Sequence, residues 1–189
     1  NKGEPDFEKK IKEFQSNDLI FLINPTEKFE EIDKYLIDQY IMNGGKTFWA
    51  IDISNSSMDS LKNKGSFIAH KSRTYNLNDL LFNYGIRINN DIISDLSCAK
   101  IPVPVSFIDN KPSWELLPWE YFPVSIPISN HPITSNLNLI KFDFISSIDT
   151  VNFSSNIKKT VLLKSSEYSK INNLPFQINL KQTFSKIKQ

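Results

Sequence analysis

The stretch from Asp18 to Asp52 constrains the fold more than any other, because it reads as one strand–helix–strand unit. Leu19-Ile20-Phe21-Leu22-Ile23 is a continuous apolar run, the pattern of a strand buried on both faces of a parallel sheet. Pro25 ends it, since proline has no N–H for a sheet ladder. Phe29, Ile32, Leu36 and Tyr40 then recur at helical steps, with Tyr35 and Ile37 beside the stripe. Glu30, Glu31 and Asp33 put negative charge at the start of that helix, where its dipole favours it. Asn43-Gly44-Gly45 stops it, and Lys46 to Ile51 forms the second strand, with Asp52 at its carboxyl end. A unit of this length makes a right-handed parallel crossover. The expected fold class is therefore α/β and flavodoxin-like, with a largely parallel central sheet and a strand-rich half from about Lys100. Gly44 and Gly45 are expected to be structural, as is Gly85 at the end of a second helix.

Flanking stretches fill in the rest. Phe7, Ile11 and Phe14 have the spacing of a short amphipathic helix. Asp52 to Ser57 reads as a polar loop, and Asn63 to Thr74 as an exposed one. Asn76 suits the N-cap of a helix carrying Leu77, Leu80, Leu81 and Tyr84, with Gly85 as its C-cap. Ile92-Ile93 suggests a short strand, and Pro102 and Pro104 mark Lys100 to Phe107 as an edge strand. Asp109 to Pro112 has turn residues, whereas Trp114 to Pro123 shows neither helical nor strand period. Phe142 to Val151, Thr160 to Lys164 and Phe176 to Leu180 look extended. The reading is one domain over 1–170, with 171–189 as an extension or the start of a further element.

Composition excludes several function classes. A net charge of +1 over 189 residues, with scattered lysines, leaves no footprint for nucleic acid. One cysteine, Cys98, permits neither an intrachain disulfide nor a cysteine metal cluster. No apolar run is long enough to span a bilayer, and the polar start is unlike a signal peptide. The chain reads as an excised piece whose anchor lies outside it.

Chemistry is sought first beyond the carboxyl ends of parallel strands, where such sheets bind ligands. Asn24, Thr26, Asp52 and Ser54 are the candidates there. Gly44-Gly45-Lys46 follows a helix rather than preceding one, the wrong order for a phosphate loop. Asp52-Ile53-Ser54-Asn55-Ser56 occupies the place of a nucleophile elbow but lacks both glycines, and Cys98 lacks them too. His70 and His131, the only two histidines, have no zinc-site spacing. No catalytic, cofactor-binding or metal-ligating residue is assigned. Trp114, Leu116, Trp119, Tyr121 and Phe122 form the candidate interface, since Trp and Tyr dominate binding hot spots. Glu115 and Glu120 among these rings leave a carbohydrate- or peptide-binding module as an alternative, and a hydrolase- or amidotransferase-like enzyme as another.

Several longer stretches resemble one family. They are Leu36 to Lys46, Leu77 to Ile88, Leu117 to Pro123, Ser129 to Thr134 and Lys158 to Ser166. Together, from about Asp18 to Tyr168, they resemble the gliding-motility auxiliary component (GldG) family of a Bacteroidetes ABC transporter. The resemblance implies a domain related in fold to class I glutamine amidotransferases, shared with intraflagellar-transport proteins and without a catalytic role. It also implies a place on the periplasmic face of the inner membrane, with membrane helices outside this chain. Partners would be the permease and ATPase subunits of the transporter, and no cofactor is implied.

Overall fold

The computed structural model describes residues 7–71, 75–108, 111–128, 131–152 and 157–180, and it is strand-rich, with short sheets. In chain order come α1 (Phe7–Gln15), β1 (Ile20–Ile23), α2 (Glu31–Met42), β2 (Thr47–Ala50), α3 (Met58–Lys64), β3 (Ser66–Ala69), α4 (Asn78–Asn83) and β4 (Ile86–Ile88). There follow β5 (Asp91–Asp95), β6 (Cys98–Ile108), β7 (Lys111–Pro127), β8 (Ile140–Lys141), β9 (Ile148–Thr150), β10 (Leu163–Lys164), β11 (Ser169–Asn173) and β12 (Phe176–Asn179). Two compact units are interleaved along the sequence. The first is Asn1–Ile53, Arg73–Arg87 and Thr150–Ile157; the second is Ser54–Ser72, Ile88–Asp149 and Lys158–Gln189.

The first unit contains the strand–helix–strand motif. β1 and β2 pair in parallel, from Ile20 opposite Thr47 to Ile23 opposite Ala50, with α2 as the crossover. The Asp33 carboxylate accepts from the Glu30 N–H at 3.1 Å and so answers a backbone donor just before α2. Leu36, Ile37 and Tyr40 bury the inner face of the helix. Gly44, with φ at +88°, turns the chain out of it. Gly45 is there for a different reason: a Cβ would stand 2.4 Å from the Tyr40 ring. That ring is fixed, because its hydroxyl donates to the Asn17 carbonyl at 2.9 Å.

Charge also ties α2 to α4. Lys34 is only 5% exposed, yet its Nζ reaches Asp79 at 2.6 Å and Glu31 at 2.9 Å. The Tyr84 hydroxyl donates to Asp38 at 2.7 Å, and burial together with that carboxylate pushes the phenol well above its usual range. Asn76 does not cap α4 as the sequence suggests, since Leu77 holds the cap position. With φ at +58°, Asn76 donates instead to the Phe29 carbonyl at 3.2 Å and to Glu31 at 2.9 Å.

The flavodoxin-like, amidotransferase-like expectation is corrected here. Among the described strand pairs, β1 and β2 pair in parallel, whereas the ladders of the second unit are antiparallel. Nor is β1 buried on both faces, for Phe21 is 59% and Ile23 63% exposed. An unbroken apolar run fits a strand covered twice, and equally one with a bare apolar face. The stretch from Asn63 read as an exposed loop instead holds the end of α3, a helix capped where Ser57 Oγ accepts from the Ser60 N–H at 3.3 Å, and then β3, while residues 72–74 of it lie outside the described residues.

The second unit is built on antiparallel ladders. β6 and β7 form a long hairpin, and β7 also pairs with β8 and β10 near its end. β5 pairs with β11, and β3 with β12. Leu61, Ala69, Ile92, Ile101, Trp119, Tyr121, Phe122, Phe144 and Ile178 make the core. Its rings interlock edge to face, with Trp119 against Tyr121 at 5.2 Å and Phe122 against Phe144 at 5.3 Å between centroids. Residues of the expected C-terminal extension contribute to this core through β12, where Ile178 is fully buried.

Two buried aspartates hold loops onto β5. Asp91 accepts from the Ser147 N–H at 2.7 Å and from its hydroxyl at 2.6 Å. Asp95 accepts from the N–H groups of Ser97 and Ser166, each at 2.8 Å, and from the Ser166 hydroxyl. Each carboxylate thus answers several donors, which is how a buried charge is tolerated.

Candidate interaction surfaces

Two exposed apolar surfaces stand out, one in each unit. In the first, residues of alternate parity on β1 and β2 point to opposite faces. Ile20, Leu22, Thr47 and Trp49 are half-buried on one face, and the Phe29 ring lies 6.4 Å from that of Trp49. The other face carries Leu19, Phe21, Ile23 and Phe48, all exposed, with the exposed Lys46 at its edge opposite Leu19. The Phe21 and Phe48 rings meet at 5.6 Å, so the patch is continuous across the strand pair.

In the second unit the outer half of the β6–β7 hairpin is an arm whose side chains, among those described, are exposed on both sides apart from Val103 and half-buried Ser113. Pro104 lies opposite Trp114, and Pro102 opposite Leu116, so all four share one face. Trp114 is 61% and Leu116 62% exposed. Lys100, opposite Pro118, closes the stripe at the inner end, whereas Lys111, opposite Ile108, shares the other face with Glu115. Glu115 pairs with Val103 and points to the opposite face. Pro102 and Pro104 have no N–H to offer, which blunts β6 as a template for another strand. β6 is indeed the last strand in its sheet order, as its prolines suggest.

The candidate interface therefore divides. Trp114 and Leu116 are on the surface, whereas Trp119, Tyr121 and Phe122 are in the core. They are corrected from contact residues to packing residues. Around them the register slips: two steps along β6, from Cys98 to Lys100, correspond to five along β7, from Pro123 to Pro118. The extra residues break the two-residue period and turn consecutive rings inward.

The strand-end candidates divide between the two units. Asn24, Thr26 and Asp52 are exposed around the ends of β1 and β2, in the first unit. The Asn24 N–H donates to the Ala50 carbonyl at 2.7 Å, and the Asp52 carbonyl accepts from the Tyr75 hydroxyl at 2.8 Å. A sheet of two strands has no reversal of strand order to open a ligand crevice. Ser54 belongs to the second unit and is buried, where its hydroxyl accepts from the Ser56 N–H at 3.3 Å. Cys98 is half-buried at the start of β6, and burial pushes its thiol up. Sequence reasoning missed Asp91, Asp95 and the bare face of β1 and β2. Ser146-Ser147 and Ser165-Ser166 were the available signals for the two aspartates, as small hydroxyl pairs at strand ends.

A family model described as an ABC-type uncharacterized transport system, of the auxiliary kind, matches residues 3–189. The chain belongs to this family. No curated protein and no solved structure matches. As a member of this transport-auxiliary family, the chain is associated with an ABC-type transport system. Among the described residues of this family member, no helix is long and apolar enough to cross a membrane. Nor does any group of three or more His, Cys, Asp or Glu side chains there suit a metal ion.

Proposed function

We propose that this member of the transport-auxiliary family is a non-enzymatic docking domain, on the periplasmic side, that binds the permease subunit of its transport system and acts with the ATPase through it. The observation that carries this reading is the bare face of Leu19, Phe21, Ile23 and Phe48. Parallel strands are ordinarily covered on both faces, and an apolar patch of roughly 400 Å² marks a binding site on a soluble surface. Two such faces pressed together would bury only about 800 Å², short of a standard interface, so a second copy does not suffice. A partner that lays a helix on this face and continues past it does. The resemblance of Leu36 to Lys46 and of Leu117 to Pro123 to gliding-motility components supports a transporter that serves gliding.

The test is co-purification of the chain with the permease of its transport system. Phe21→Glu with Phe48→Glu should abolish co-purification while leaving the melting temperature within a few degrees, because both rings are exposed. Retained co-purification would remove this face as the docking site. Turnover of ester or amide substrates by the purified chain would argue for an enzyme instead.

A further inference from the structure

We propose that the β6–β7 arm rests on the membrane surface, with its Pro–Trp–Leu stripe in the boundary between lipid headgroups and acyl chains. This surface is separate from the docking face proposed above, and neither reading needs the other.

The composition of the stripe favours lipid over protein. Trp114, Leu116, Pro102 and Pro104 form one apolar face, and Val105 adds exposed area at a bulge beside it. Tryptophan suits the interface because its ring is apolar while its N–H can stay hydrated. Lys100 closes the inner end of the stripe, so its ammonium group can reach a lipid phosphate while its stem lies along the apolar surface. The nearby Glu115 carboxylate is on the other face of the hairpin. An extended peptide partner would need a sheet edge to join, and Pro102 and Pro104 remove the donors from the outer edge of β6. Those missing N–H groups carry a second consequence: fewer unpaired donors accompany the arm into a water-poor layer. Membership in a membrane transport family puts a bilayer within reach of the domain.

The full chain would be sedimented with vesicles of phosphatidylcholine, alone and mixed with phosphatidylglycerol. Binding to both is expected, since the main contribution is apolar. Trp114→Ser with Leu116→Ser should weaken partitioning at least about tenfold on either vesicle, with an unchanged melting curve because both side chains are exposed. Lys100→Gln should weaken it up to a few-fold on the anionic vesicles alone. Phe21→Glu with Phe48→Glu should leave it unchanged, which separates this proposal from the permease contact. The proposal fails if the wild-type chain stays in solution with both vesicles. It also fails if the Trp114→Ser, Leu116→Ser chain binds as the wild type does. If vesicles are ignored while that double variant loses the permease, the arm is a protein contact and the lipid reading is wrong.

Discussion

Replacing Trp119 by alanine tests the core assignment against the interface expectation. Trp119 is 0% exposed and packs edge to face on Tyr121 at 5.2 Å. Truncating a buried tryptophan costs about 3–5 kcal/mol, and losing the ring contact pushes toward the upper end. In a chain of this size each kcal/mol lowers the melting temperature by about 2–4 °C, so a drop of about 6–20 °C is expected. Trp114→Ala, on the exposed arm, should change it by less than about 2 °C. Melting followed by circular dichroism on both variants gives the comparison. If Trp119→Ala melts with the wild type, the packing of the second unit as described here is wrong.

Asp95→Ala should destabilise by about 2–4 kcal/mol, because the N–H groups of Ser97 and Ser166 lose a buried acceptor; denaturant titration would show it, and Asp95→Asn should cost less. Lys34 holds the Asp79 and Glu31 carboxyls below their usual range, and Asp79 in turn holds the Lys34 ammonium above its own. Their contribution is present from above the ordinary carboxylate range, about pH 4–5, up to about pH 10, and is lost as the pH falls through the depressed carboxyl values or rises past the raised lysine value. Asp79→Asn should therefore flatten the fall in melting temperature on the acid side, although both carboxylates are exposed and the effect is screened. Gly45→Ala should cost about 1–3 kcal/mol, since the added Cβ meets the anchored Tyr40 ring; thermal melting would again be the check.

The first unit was legible where two signals agreed. The three- and four-residue spacing from Phe29 to Tyr40 and the stop at Asn43-Gly44-Gly45 both match α2, Glu31–Met42. A crossover between β1 and β2 followed from length alone. The number of strands in the sheet did not, because one crossover is compatible with two strands or with many. The second unit was less legible, as its apolar residues come from ladders with slipped register. Tyr121 and Phe122 are neighbours in sequence and both buried, a pattern that no regular strand produces. In α3 the signals were present, with Ser57 before the helix and Gly65 after it, but its helical pattern is short and polar. The surfaces proposed here depend on which apolar residues remain uncovered, and periodicity reports apolar faces without saying what lies on them.

The interleaving of the two units bears on how the protein is made. The chain passes from one unit to the other at residues 53/54, 72/73, 87/88, 149/150 and 157/158. A ribosome emits the chain from its N-terminus, so the first unit has to wait for its last segment, Thr150–Ile157, before it is complete. By then most of the second unit has also emerged, and the two must close nearly together. The Phe21–Ile23 strand is therefore exposed to solvent for most of synthesis, with an apolar face that the finished chain does not cover. Expression in a host without the partner should favour aggregation through this segment. No single cut in the gene separates the two units from each other.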